Sequence, residues 1–341
     1  MLKIGLVGYG FIGGMHSSCY AATGKAQVVA VADVEPDRRA SAEAALGCQT
    51  YASIEDMLSS ADIDIVDICT PTYLHRQHAI TAAEAGKHIL CEKPMALSTE
   101  DCDAMIAAAN KAGVSMMVGH VIRFWPEYQV VKDIIDSGKY GKVLWLSARR
   151  LSPPATWAWQ GWLADPAKSG GAIHDLHIHD QDYIEYLIGS PSKVSSIGIP
   201  GPKGGFDSAM TLGFDHSSGA NSYAECSLDL APGFPFTMSL IVAAEKATIK
   251  LDSSASPSLM VYPVDGENYA PELPTQDISS SPESAGNISS LGGYFNEINY
   301  FVDCIIAGKK PEIVTPESAR NAVRIVLAAA KSAKTGNAVD L

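Results

Sequence analysis

Three things are scarce in this chain of 341 residues. Paired cysteines are one. The seven cysteines, at 19, 48, 69, 91, 102, 226 and 304, are an odd number and contain no Cys-x-x-Cys pair. That excludes a disulfide framework and predicts reduced, mostly buried thiols in a cytoplasmic protein. Positive charge is another: 25 Lys and Arg face 38 Asp and Glu, for a net charge of −13. Nucleic acid would require a basic face, so none is expected as a partner. Long apolar runs are the third. No stretch approaches the ~20 residues that span a bilayer, so no membrane partner is expected either. A strand is expected from Lys3 onward, which leaves no room for a signal peptide.

What remains is ordinary globular material, 47% hydrophobic and 18% charged. The length is comfortable for two domains. Residues 1–121 alternate short apolar runs (4–8, 28–33, 65–69, 88–91, 115–119) with helical patterns. The runs are continuously apolar, as strands covered on both faces should be. Ser53 and Ser98, each with an acid three positions on, start helices; Gly86 and Gly113 stop them. This predicts a doubly wound parallel sheet of α/β class. From 122 to 341 the pattern changes. After a helix over 126–137 come strands at 142–150, 194–199, 209–214, 221–228, 237–243, 247–251 and 259–264. A helix over 175–188 interrupts them. The expectation is a second, α+β domain: an open, mostly antiparallel sheet covered by helices on one face. Residues 265–290 read as a surface loop, and helices at 294–307 and 316–334 close the chain.

The chemistry begins at Gly8-Tyr9-Gly10-Phe11-Ile12-Gly13, where the first strand meets a helix. Gly8 makes the tight turn, Gly10 lets the backbone approach a pyrophosphate, and Gly13 lets helix and strand pack. Asp33 ends the second strand where an acid grips the adenosine ribose diol. A carboxylate there repels a 2′-phosphate, so NAD is expected over NADP. Arg38 and Arg39 stand against that choice if either folds back toward a phosphate; the solvent face of the following helix is the expected place for both.

Further motifs are Thr70-Pro71 with His75, Gly86-Lys87-His88, Glu92-Lys93-Pro94, and Gly170-Gly171 leading to Asp175 and His179. With the glycine loop, they resemble the Gfo/Idh/MocA family of glucose–fructose oxidoreductases and inositol dehydrogenases over nearly the whole chain. The resemblance implies a Rossmann domain that binds nicotinamide cofactor through residues 8–13, Asp33, Thr70, Pro71, His75, Glu92 and Lys93. It implies a substrate domain that packs sheet to sheet into homodimers or homotetramers, and a catalytic trio at Lys93, Asp175 and His179.

Those residue types make chemical sense by themselves. Oxidising a carbinol carbon requires its O–H proton to leave, and His179 has the intrinsic pKa to take it. Lys93 can stabilise the developing alkoxide. Asp175, one helical turn earlier, can orient the imidazole or bind a neighbouring hydroxyl. Pro94 keeps Lys93 out of the α region, and the bond between them is a candidate for cis. A metal reading of His174, Asp175, His177, His179 and Asp180 is set aside. On one helix Asp175, His179 and Asp182 share a face, while His174 and His177 share another, so no metal is expected. Three tryptophans, 157, 159 and 162, crowd one loop. Trp157 and Trp159 are candidates to stack on a sugar or cyclitol ring, and Trp162 to pack. Arg123 is a further substrate candidate, with Arg149 and Lys168 as other cations open to reading a charged group.

The expected function is therefore NAD-dependent oxidation of a secondary alcohol of a sugar, sugar derivative or inositol. Two alternatives stand beside it. One is a glycosidase that oxidises its substrate transiently through a retained NAD. The other is a catalytically silent sugar sensor, for which the intact Lys93, Asp175 and His179 would be superfluous.

Overall fold

A computed structural model describes residues 1–274 and 292–341. In chain order the N-terminal part runs β1 (Leu2–Val7), α1 (Phe11–Thr23), β2 (Ala26–Ala32), α2 (Pro36–Leu46), β3 (Gln49–Tyr51), α3 (Ile54–Ser60), β4 (Ile65–Ile68), α4 (Thr72–Glu84), β5 (His88–Glu92), α5 (Thr99–Ala112) and β6 (Met116–Gly119). The six strands form one parallel sheet in the order β3-β2-β1-β4-β5-β6. The chain reverses direction across the sheet between β1 and β4, so the carboxyl ends of these strands open on a crevice. Residues on β4 and β6 are buried throughout, as helices on both faces require.

The expected punctuation is in place. The Ser53 and Ser98 hydroxyls each accept from the amide three residues on, at 3.1 Å, and Gly113 ends α5 in the left-handed region. β3 was not foreseen: three half-buried or exposed residues at a sheet edge leave no apolar run to read.

Next come α6 (Pro126–Asp136), β7 (Val143–Leu151), α7 (Pro166–Ser169), α8 (Gly171–Asp175), α9 (Ile178–Ile188), β8 (Lys193–Pro200), β9 (Phe206–Phe214), β10 (Asn221–Ser227), β11 (Thr237–Ala244), β12 (Ala247–Asp252) and β13 (Leu259–Pro263). The chain closes with α10 (Gly292–Ile306), α11 (Pro316–Thr335) and β14 (Val339–Asp340). The eight strands β7–β14 form a second sheet, ordered β13-β12-β11-β7-β10-β9-β8-β14. It is antiparallel apart from the parallel pair β7 and β10. One face buries Leu146, Ala148, Val194, Ala224, Leu240 and Val242; the other leaves Ile197, Met210, Leu212 and Tyr223 exposed. Of the loop expected over 265–290, residues 265–274 are irregular, and 275–290 lie outside the described residues.

The chain divides into two compact units. One comprises Met1–Trp125 with residues 292–320, the other 126–274 with 321–341. The sequence reading placed a single cut at 121/122. It assigned α10 to the second domain, whereas α10 packs on α1 in the first. The helix expected over 175–188 is broken. Leu176 and His177 keep helical dihedrals, but the His177 amide bonds the carbonyl of Ala172, five residues back, at 2.9 Å. Such a wide turn separates α8 from α9.

Candidate active site

The glycine loop is built as its residue types require. Gly8 has φ +91°, and a Cβ there would lie 2.9 Å from the Cys69 carbonyl oxygen. A Cβ on Gly13 would lie 2.1 Å from the Gly8 oxygen, so helix and strand meet there only with glycine. Gly10 precedes α1 in extended backbone, and no side chain caps the helix. An uncapped helix start behind a tight glycine turn suits a pyrophosphate. Asp33 lies beside it. Its Oδ2 accepts from the Tyr9 amide at 2.8 Å, and its Oδ1 from the Glu35 amide at 2.9 Å. These residues fit an NAD adenosine and pyrophosphate.

Arg38 and Arg39 depart from the expected solvent face. Arg39 Nη1 donates to the Asp33 and Val34 carbonyls, at 2.7 and 3.1 Å. Arg38 Nη1 lies 3.8 Å from Asp33 Oδ2 and 3.6 Å from where a Gly10 Cβ would be.

Thr70 and Pro71 lead from β4 into α4. His75 is buried, with Nε2 2.8 Å from the Thr70 carbonyl and Nδ1 2.8 Å from that of Pro94. It thus ties the two loops together. Burial lowers its pKa, with the Thr70 and Pro94 carbonyls acting against that. Glu92 ends β5, and its carboxylate turns inward. Oε2 accepts from the Lys93 amide at 3.0 Å, and Oε1 lies 3.2 Å from His16 Nε2. A Cβ on Gly119 would sit 2.9 Å from that Oε1, so the glycine makes room for it. The Lys93–Pro94 bond is cis. Arg123 is buried and donates to the Ile313 carbonyl at 2.7 Å.

Asp175 and His179 belong to the second unit. Gly170 and Gly171 before them have φ +78° and +75°, and a Cβ on Gly170 would lie 2.4 Å from His174 Cβ. The two glycines therefore allow the tight entry into α8. Asp175 is buried, His179 half-buried. The residues around them face the core. His177 is fully buried, with Nε2 3.0 Å from the Thr211 hydroxyl and 2.9 Å from the Gln181 amide nitrogen. Burial and the Arg150 charge push its pKa down to about 3, so it is a neutral packing residue. Asp180 meets Arg150 of β7 in a buried ion pair. Sequence reasoning missed that pair. The available signal was Arg150 itself, a cation on the inward alternation Leu146, Ala148, Arg150 of a strand.

Trp157 is 61% exposed, whereas Trp159 and Trp162 are half-buried in the same loop. Arg149 pairs with Glu225 at 2.8 Å on the open face of the second sheet. Lys168 lies 3.9 Å from Asp165.

Comparison with known proteins is decisive for the family. Residues 2–120 match the family model of oxidoreductases with an NAD-binding Rossmann fold, and residues 128–250 match the GFO/IDH/MocA C-terminal domain. The chain belongs to the GFO/IDH/MocA oxidoreductase family. Among its relatives is the 2,7-anhydro-N-acetylneuraminate hydratase of Escherichia coli, 34% identical over 58% of this chain and 53% of that protein. The levoglucosan dehydrogenase of Pseudarthrobacter phenanthrenivorans is also 34% identical, over 58% and 53%. The chain thus spans about half the length of these relatives. The D-apiose dehydrogenase of Paraburkholderia graminis is 29% identical over 99% of this chain and 89% of its own length. Among solved structures, a levoglucosan dehydrogenase complexed with NADH and levoglucosan superposes with a TM-score of 0.87 at 25% identity, over 99% of both chains. In this family context the parallel sheet of the first unit is the NAD-binding Rossmann domain. No helix among the described residues is long and apolar enough to cross a membrane.

Proposed function

We propose that the protein is an NAD-dependent oxidoreductase acting on a secondary alcohol of a sugar, sugar derivative or inositol. The observation that carries the reading is the place of Lys93. It follows β5, at the carboxyl end of the same sheet whose β1–α1 turn is the glycine loop, on the crevice side where such sheets take ligands. NAD, when bound, supplies the hydride acceptor. Gly8, Gly10 and Gly13 admit its pyrophosphate, and Asp33 holds its ribose diol. His179 accepts the carbinol proton, Asp175 orients that imidazole or a neighbouring hydroxyl, and the Lys93 ammonium stabilises the oxygen as it becomes negative. Trp157 and Trp159 supply apolar ring faces. A panel of polyols, aldoses, anhydrosugars and inositols, followed by NADH absorbance, tests the reading. Absence of NADH formation across the panel, with NAD bound, would count against net oxidation.

A second reading has one specific observation behind it: the relative from Escherichia coli is a hydratase, not a dehydrogenase. A substrate oxidised and re-reduced within one cycle would give a net reaction without NADH accumulation. Product analysis with catalytic amounts of NAD separates the two readings.

The assembly we propose is a homodimer or homotetramer joined through the open face of the second sheet. Trp145 stacks on Tyr223 there at 6.1 Å between ring centroids, beside exposed Ile197, Ile199, Met210 and Leu212. A contiguous apolar patch of this kind marks an interaction surface. A monomer by light scattering at micromolar concentration would contradict it. The seven free cysteines, six of them buried, favour a cytoplasmic location.

A further inference from the structure

His16 stands in α1, the helix that starts at the glycine loop, and its side chain is fully buried. Its Nδ1 lies 2.8 Å from Asp67 Oδ2 on β4, and its Nε2 3.2 Å from Glu92 Oε1 on β5. A neutral imidazole donates from one nitrogen only. Nδ1 is hydrogen-bonded to Asp67, and Nε2 faces the Glu92 carboxylate at ion-pair distance without a hydrogen bond, so two carboxylates flank the ring and favour its cation. The other ionisable groups around it do not change this. The Cys69 sulfur sits 3.4 Å from Nδ1, and burial keeps its thiol protonated. Burial likewise raises Cys19, to about 12, and Tyr20. Glu297 of α10 brings a third carboxyl group within 4.8 Å of the His16 and Glu92 ligand atoms. Burial opposes charge on the ring, but the charge and hydrogen bond of Asp67 act against it, and its pKa is raised well above the usual histidine value.

The line continues past Glu92. Its other oxygen accepts the amide N–H of Lys93 at 3.0 Å. Four groups from three elements are thus in series: Asp67, His16, Glu92 and the Lys93 backbone. We propose that His16 is a positioning residue for Lys93, a buried imidazolium that keeps Glu92 ionised so that Glu92 anchors the Lys93 turn at the end of β5. The inference rests on the reading of Lys93 as the group that meets the substrate oxygen. Burial opposes the Glu92 charge, yet the adjacent His16, with Lys93, outweighs it and its carboxyl is held below the usual range. Remove the cation, and Glu92 must take a proton or stay charged in the interior without its partner. Either way its hold on the Lys93 amide changes, and with it the placement of the ammonium. The same helix begins at the glycine loop, so one element carries both the cofactor turn and the clamp on the lysine.

Two measurements test this. In the intact wild-type protein, ¹⁵N–¹H correlation spectra of histidine-labelled material should show both His16 nitrogens protonated at pH 7, with or without NAD. A neutral ring would overturn the proposal without any variant. The second is a double-mutant cycle with His16→Gln and Glu92→Gln. Each should lower kcat by about 10- to 100-fold, the size of effect that misplacing a reacting group produces. In His16→Gln, substrate KM and NADH affinity should stay within about threefold of wild type. The double variant should be no worse than the poorer single one, because both act on one line of contacts. Near wild-type kcat in His16→Gln, or losses that multiply, would overturn it. Lys93→Met completes the set. If Lys93→Met is inactive and His16→Gln is unimpaired, the positioning role alone falls. If Lys93→Met stays active, the catalytic reading of Lys93 falls and the positioning role falls with it.

Discussion

Arg150 and Asp180 meet as a buried, two-pronged ion pair, with Nε 3.0 Å from Oδ2 and Nη2 3.1 Å from Oδ1. Asp180 is the residue after His179, so the pair pins the start of α9 to the inner face of the second sheet. Arg150→Met leaves a carboxylate buried without its cation and should cost about 3–5 kcal/mol of stability. Arg150→Met combined with Asp180→Leu should recover much of that loss. Urea unfolding of wild type and the two variants checks this. A single variant within about 1 kcal/mol of wild type would show that water reaches the pair.

Two buried histidines should make stability respond to pH in opposite senses. His177 has its pKa lowered to about 3 by burial and by Arg150. Between about pH 6.5 and 3 the unfolded chain therefore binds a proton that the folded chain refuses. Its share of stability is complete above that window and falls as pH falls, by up to about 1.4 kcal/mol per unit. His16 has its pKa raised. Its contribution is complete below about pH 6.5 and is lost as pH rises through the folded value. Urea midpoints across pH should show a shallower acid slope for His177→Gln and a shallower alkaline slope for His16→Gln.

Cofactor choice turns on Asp33, whose carboxylate is locked by the Tyr9 and Glu35 amides. Calorimetry should find NAD bound more tightly than NADP, and Asp33→Ala should weaken NAD by about 10- to 100-fold, the loss of a charged hydrogen-bond acceptor. Tighter NADP binding by the wild type would instead assign Arg38, which leans toward the loop, to a 2′-phosphate.

These outcomes also mark what the sequence could disclose. Whatever is written in neighbouring residues was legible: the glycine loop, the Asp33 position, the Ser53 and Ser98 caps, and the strands of both sheets apart from the short edge strands β3 and β14. What depended on register between distant elements was not. The Arg150–Asp180 pair joins positions thirty apart, and His16, Asp67 and Glu92 come from one helix and two strands. The break after Asp175 was hidden for another reason. Leu176 and His177 keep helical dihedrals and the apolar pattern runs on, so only the hydrogen-bond ladder reveals it. The same break weakens the helical-face argument used to set a metal aside. The case of His177 is instead decided by its bonds to Thr211 and Gln181.

Trp157, the most exposed tryptophan of its loop, should set substrate preference and not chemistry. Trp157→Ala should raise KM with kcat nearly unchanged, as expected when binding common to ground and transition states is lost. Steady-state kinetics with the best substrate of the panel checks this. A large fall in kcat at constant KM would give the loop a different role.

The central claim is that His179 takes the substrate proton while Lys93 steadies the oxygen left behind. Its most direct test is the pH dependence of kcat/KM for alcohol oxidation, compared between wild type and His179→Ala. The wild type should show an ascending limb in the histidine range. His179→Ala should lose that limb and about 10²–10⁴ in kcat, with NAD affinity unchanged. A limb that survives in His179→Ala and disappears only in a Lys93 variant would contradict the account and reverse the two roles.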